Sequence, residues 1–212
     1  MKYKYIIFDC DGVLVDSEEI SNTVLIEMAK EVNAEIKMEY ALKNFAGKSL
    51  RSSFNYIENL IGKQLPSHFE NDFRKRTFNA FKTKLKPIKG IHDLLNNISV
   101  PYCVASSGPL EKIELNLTIT GLIEKFENRI FSSYEIGSWK PNPGIFEYAS
   151  KKMGYKPNEC AVIEDSIAGV KAARKGGFDV FGFTNKKNQT DFENEGAKVF
   201  FEMNKLKELL IK

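Results

Sequence analysis

The strongest constraint in this chain is an unbroken apolar run, Tyr5, Ile6, Ile7 and Phe8, that stops at Asp9, Cys10, Asp11 and Gly12. Four apolar residues without alternation describe a strand covered on both faces, as in the middle of a parallel sheet. A parallel sheet needs crossover connections, usually helices, so the run already points to an α/β fold. The two carboxylates fall where the strand leaves the sheet, and Gly12 allows a tight turn and a close approach of backbone to a ligand. In open α/β sheets that carboxyl edge is where ligands bind. In a loop both acids can turn toward one centre, one to ligate a cation or attack, the other to move protons. Taken alone, Asp-x-Asp-Gly is equally a turn whose carboxylates hydrogen-bond nearby amides, so the rest of the chain must decide.

At 212 residues the chain can bury about 70% of its unfolded surface as one domain or two small ones. Its 31 basic and 28 acidic residues are interspersed, leaving +3 overall. That distribution has no basic stripe, and no nucleic-acid partner is expected. Cys10, Cys103 and Cys160 are odd in number and form no C-x-x-C pair, the pattern of free thiols in a reducing compartment. The chain begins directly in a strand, and no apolar run approaches the ~20 residues a bilayer requires. A cytoplasmic protein without membrane partners, a monomer or weak dimer, is therefore expected. With only His68 and His92, zinc sites built on histidine clusters and Ser-His-Asp triads have little to draw on.

Past Asp16 the period changes. Asp16 with Glu19 suits a capping box, and Ile20, Val24, Met28 and Val32 recur every fourth residue, an amphipathic helix. Helical patterns continue over about Lys48–Ile61 and Ser67–Lys84, divided by Gly62 and Pro66. After Pro87 and Gly90 the pattern alternates. Strands are predicted at Tyr102–Ser106, Ile130–Ser132, Cys160–Ile163, Val180–Phe183 and Val199–Phe201, and helices at Ile91–Ile98, Pro109–Ile119, Pro143–Met153, Ile167–Lys175 and Asn204–Ile211. The organisation expected is a Rossmann-like α/β core of residues 1–16 and 84–212, with a helical cap domain of residues 17–83 inserted after the first strand and able to lie over the carboxyl edge.

Three further stretches place polar groups at strand ends. Ser106, Ser107 and Gly108 offer a hydroxyl and amides at a helix start, a natural anion site. Lys140 precedes Pro141 and Pro143, which stiffen its loop. Glu164 and Asp165 follow the strand CAVI. In this order and spacing the four stretches resemble the haloacid dehalogenase superfamily, in the branch whose helical cap follows the first strand. Asp9 and Asp11 match its first motif, Ser106 the second, Lys140 the third, and Glu164 with Asp165 the fourth.

The resemblance implies phosphoryl transfer through an aspartyl-phosphate on Asp9, with Asp11 as acid and base, Ser106 and the Ser107 amide on the phosphoryl oxygens, and Lys140 neutralising charge. It implies Mg²⁺ held by Asp9, the Asp11 carbonyl and Asp165, with Glu164 ligating or standing behind. The acid at position 11 favours phosphate esters over the halide and phosphonate substrates of other members, so a small phosphorylated metabolite, a sugar phosphate, is the expected substrate. Mutases of the same branch carry a cap histidine where this chain has Ser21, and a cap arginine where it has Leu50, beside Arg51. Asn142 stands where the family often has Asp. In the cap stretch AGKSLRSSF, Lys48, Ser49 and Arg51 are candidates to grip a polar substrate.

Overall fold

A computed structural model of the chain describes residues 2–45 and 48–211; Ala46 and Gly47, at the head of the cap stretch just named, lie outside them. The first strand, β1 (Tyr5–Phe8), is followed by four helices, α1 (Glu18–Glu31), α2 (Met38–Asn44), α3 (Leu50–Ile61) and α4 (Phe69–Lys84). The rest alternates: α5 (Ile91–Asn97), β2 (Tyr102–Ser106), α6 (Leu110–Ile119), β3 (Ile130–Ser132), α7 (Ser133–Ile136), α8 (Gly144–Lys152), β4 (Cys160–Glu164), α9 (Ile167–Lys175), β5 (Asp179–Phe183), α10 (Gln189–Asn194), β6 (Lys198–Phe200) and α11 (Leu206–Ile211).

The strands form one parallel sheet in the order β3-β2-β1-β4-β5-β6. The apolar run of β1 is wholly buried, as its lack of alternation requires. Ile6 and Phe8 face a cluster with Leu94 of α5, Ile113 and Leu117 of α6 and Leu210 of α11. Tyr5 and Ile7 face the opposite cluster, with Phe146 of α8 and Val170 of α9. The chain steps outward from β1 through β2 to β3, then crosses back to place β4 on the other side of β1. That reversal is the switch point at which a crevice opens along the carboxyl edge.

The helices between β1 and β2 have a core of their own, built on Leu25, Met28, Phe54, Ile57, Phe69 and Phe73. Phe54 meets Phe69 and Phe73 edge-on, with centroids 5.4 and 6.0 Å apart. Several details differ from the sequence reading. Helix α2 has no strong periodic signal and forms because Ala41 is fully buried. The polar α10 is likewise anchored by one residue, Phe192. The Asp16–Glu19 capping box is absent: α1 starts at Glu18, and Ser17 at its N-terminus makes no capping bond, its hydroxyl being given to Asp11. Helix α3 starts two residues later than expected, at Leu50, with Ser49 as its cap accepting from the Ser52 amide at 3.4 Å.

Because the cluster around Phe54 shares no residue with the clusters on the sheet, damage to it should stay local. Phe54→Ala is expected to remove about 3–5 kcal/mol from the helical segment. Hydrogen exchange should show lost protection in α1, α3 and α4 with β1 and β4 unchanged; uniform loss across the chain would contradict this separation.

Candidate active site

Parallel strands end at one edge, so residues that follow β1, β2 and β4 are brought together whatever their distance in sequence. Phe8 is in register with Val104 of β2 and Ile163 of β4, which puts Asp9 next to the ends of both neighbours. Asp9, Glu164 and Asp165 offer carboxylate oxygens that all lie within 4.8 Å of one another. Lys140 reaches them from the loop before α8. Its side chain is wholly buried, and its Nζ donates to Asp9 Oδ1 at 2.6 Å and to Glu164 Oε1.

Two glycines make the room. A Cβ at Gly169, on α9, would lie 1.9 Å from the Glu164 carboxyl carbon, and one at Gly12 would lie 1.8 Å from Asp165 Oδ2. Gly12 also has φ +77°, a left-handed conformation that glycine adopts without strain. The close approach at Gly12, expected toward a ligand, is here toward a protein group, the Asp165 carboxylate.

Three acids around one lysine leave a surplus of negative charge. Two like charges about 4 Å apart cost ~4 kcal/mol at an effective dielectric near 20. Burial, with Glu164 and Asp11 nearby, therefore pushes Asp9 up to about 7 although Lys140 opposes the shift. Burial, with Glu164 and Asp9 beside it, drives Asp165 well above the usual carboxylate range. Glu164 is otherwise saturated: its Oε2 accepts from the amides of Asp165 and Ser166 at 3.1 Å and from the Ser166 hydroxyl at 2.9 Å. The Asp165 carboxylate accepts no hydrogen bond among the described residues. An all-oxygen donor set with unbalanced charge fits a hard divalent cation.

The cavity beside this cluster is lined on the sheet side by Asp9, Asp11, Ser106, Ser107 and Lys112, and on the helical side by residues of α1, α3 and α4. Ser106 is buried at the end of β2, its Oγ accepting from the Gly108 amide at 3.1 Å. Asp11 turns away from the three-acid cluster. Burial would raise its carboxyl, but Lys112 at 2.7 Å and the Ser17 hydroxyl outweigh that and hold it below its usual range.

Of the cap residues singled out from sequence, Lys48 lines the cavity. Ser49 and Arg51 do not, and the expected grip through them is corrected: Ser49 is spent on capping α3, and the largely exposed Arg51 pairs with Glu58 at 2.7 Å. Arg51 falls on the outer side because Leu50 and Phe54, four apart, take the inward face of α3. Sequence reasoning missed Lys112, Glu18 and Arg74. Lys112 could have been found, since it sits in the first turn of the helix that Ser106 to Gly108 introduce. Glu18, pushed up to about 7 by burial and by Asp11, and Arg74, on a helix read only for its apolar face, carried no signal beyond their charge.

The comparisons with known proteins agree with this geometry. The sequence model described as haloacid dehalogenase-like hydrolase matches residues 3–177. Over 205 residues the chain is 30% identical to the 6-phosphogluconate phosphatase of Escherichia coli (strain K12), covering 96% of this chain and 93% of that one. A conserved haloacid dehalogenase-like protein of unknown function from Agrobacterium tumefaciens str. C58 superposes with a TM-score of 0.85 at 29% identity, over 99% of this chain and 98% of that one. A β-phosphoglucomutase from Clostridium difficile, at 22% identity, shares the fold with a TM-score of 0.81 over 99% of this chain and 95% of the other. With residues from the ends of β1, β2 and β4 and from the loop before α8 meeting at one sheet edge, and the family match spanning most of its length, the chain belongs to the haloacid dehalogenase-like hydrolases.

Proposed function

We propose that this phosphoric monoester hydrolase releases phosphate from small sugar phosphates, 6-phosphogluconate being the first to test, with Mg²⁺ at the acid cluster and Asp9 as the covalent nucleophile. The observation that carries the reading is the meeting of Asp9, Lys140 and Asp165 beside a cavity that also presents Ser106 and Ser107. Residues 17–83 act as the cap over that cavity, and the name of the Escherichia coli relative supplies the substrate hint. Three buried free thiols suit a reducing cytoplasm, and the described residues include no helix long and apolar enough to cross a membrane.

Lys140 engages one oxygen of Asp9 and opposes the rise that burial imposes on its carboxyl, favouring the ionised form and leaving the other oxygen to attack phosphorus in line. The phosphorus–oxygen bond to the sugar breaks as Asp11 gives its proton to the leaving oxygen. Asp11 then takes a proton from water, which attacks the phosphorus of the aspartyl-phosphate, freeing phosphate and restoring Asp9. For the first of these steps Asp11 must leave Lys112 and take up a proton from solvent before the ester bond breaks; an incoming phosphate dianion offers that ammonium another partner in the same cavity, which releases Asp11 and lets its carboxyl rise toward protonation. Ser106 and the Ser107 amide hold the phosphoryl oxygens, and Lys140 offsets their charge. Asp9, Asp165 and the Asp11 carbonyl would hold Mg²⁺, which when bound neutralises charge developing on the phosphoryl group. The hydrogen bonds that saturate Glu164 support a role behind these ligands, orienting Lys140 and the Asp165 backbone.

A panel of phosphate esters with Mg²⁺ should give inorganic phosphate from sugar phosphates, and Asp9→Asn should lower the rate by about a thousandfold or more. Isomerised sugar phosphate with little free phosphate would replace the hydrolase reading by a mutase; silence across the panel would leave a ligand-binding protein.

The acid cluster gives a second test that needs no turnover. A carboxyl whose folded-state pKa is raised favours folding fully only below its unfolded value near 4, and that contribution is lost as pH rises through about 7 for Asp9. A divalent cation removes this penalty where the acids are ionised. Saturating Mg²⁺ should therefore raise the Tm of metal-free protein by about 5–10 °C at pH 8 and far less at pH 5. Asp165→Asn should abolish the difference, and an equal shift at both pH values would place the cation elsewhere.

A further inference from the structure

Resting on the phosphatase reading, we propose that Arg74 determines specificity in this site, selecting phosphorylated sugar acids by pairing with a carboxylate remote from the phosphate. Arg74 and Thr77 lie three apart on α4, on one face of the helix, and both line the cavity. The Arg74 side chain is 23% exposed. Its Nε and Nη2 donate to Glu70 Oε1 at 3.0 and 2.5 Å, and Nη2 also donates to the Tyr134 hydroxyl at 3.0 Å. Tyr134, whose ring lies 5.6 Å from the guanidinium carbon, steadies the fork from the sheet side of the cavity. Nη1 has no hydrogen-bond partner among the described residues.

Thr77 is buried, and its Oγ1 also has no partner among the described residues. A helical threonine ordinarily turns its hydroxyl to the carbonyl a turn earlier. A buried hydroxyl left without a partner calls for a ligand to explain it. One carboxylate can accept from Nη1 with one oxygen and from Thr77 Oγ1 with the other. Ser21, Asn22 and Ser53 line the same cavity and suit the hydroxyls of a polyol chain between carboxylate and phosphate.

The charge count favours a carboxylate over a second phosphate. Glu70 already compensates part of the Arg74 charge, so the remainder suits one negative charge better than two.

The test compares kcat/KM of the full-length enzyme with Mg²⁺ on 6-phosphogluconate and on D-glucitol 6-phosphate, which has the same length and no carboxylate. Wild type should prefer the acid by about tenfold or more. Arg74→Gln should reduce that ratio about ten- to a hundredfold, mainly through KM, and Arg74→Lys should retain part of it. Should Arg74→Gln fold poorly, Thr77→Val should lower the same ratio about three- to tenfold. Equal kcat/KM on both esters in wild type, or losses in the variants that fall equally on both, overturn the proposal while hydrolysis of the glucitol ester keeps the phosphatase reading standing. Phosphate from neither ester nor any of a broad panel sinks both.

Discussion

A lysine with no solvent contact, clasped between Asp9 and Glu164, is the interaction on which the rest of the structure depends. Burying such a group is costly unless its partners are held at the right distance, and removing any one partner leaves an uncompensated buried charge. The sheet supplies two of the three points, because β1 and β4 run side by side in fixed register. The loop stiffened by Pro141 and Pro143 supplies the third. The glycines at 12 and 169 are needed for the same reason: a methyl group at either would occupy the place of an acid. What looks like a set of motifs scattered over 150-odd residues is one electrostatic object, and each piece is there to let the others be buried.

That object is incomplete in charge. Lys140 pairs with Asp9 and Glu164, while the Asp165 carboxylate has neither an ion pair nor a hydrogen bond among the described residues and feels Lys140 only at longer range. A phosphate ester brings further negative charge to the same edge, so the site can hold its substrate only when more positive charge is present. The acid cluster and the serines that line the same cavity are thus compatible with an added cation and an anion bound together. This is why the chemistry of the site can be argued from its charge balance and not from motif resemblance alone.

Most of this was legible in the sequence because the features that fix it are local. The unalternating run of residues 5–8, the acids at its end, and the return of strand–helix alternation after Gly90 each follow from short-range pattern. Parallel topology then carries residues 9, 106 and 164 to one edge without further information, and the loop before α8 brings Lys140 to them. The substrate side was poorly legible. Ser49 and Arg51 read as candidates to grip a polar substrate because they are polar residues of the cap stretch, yet which face of α3 turns inward is decided by Phe54 packing on Phe69 and Phe73, with Leu50 against the same cluster. Arg74 gave no sign because a polar residue on an amphipathic helix is ordinarily solvent-facing, and only the placement of α4 against Tyr134 brings it to the cavity. The missed capping of α1 has a similar cause, since Ser17 is drawn to Asp11 by an interaction across a turn that no helix rule anticipates.

The contrast between the two walls also bears on hydrolysis against transfer back to a sugar. Helices α1 to α4 carry their own apolar core, and the side-chain links described between them and the outer sheet region include the exposed pair Lys187–Glu39 at 3.4 Å and the Arg74–Tyr134 bond at 3.0 Å, both at the surface. Exposed pairs of this kind contribute on the order of 0–1 kcal/mol each, whereas Phe81 of α4, wholly buried in the sheet-side cluster with Phe78 and Ile20 packed against it, ties the wall firmly at its other end. A mutase must keep water from its phosphorylated aspartate until the sugar has turned round, which asks for a tightly held wall and groups that steer a second hydroxyl. Here neither histidine lines the cavity, and only the outer edge of the wall is held by exposed polar pairs. A cavity without a histidine to steer a second hydroxyl, under a wall tied at one edge by exposed pairs alone, favours hydrolysis over return of the phosphoryl group to a sugar.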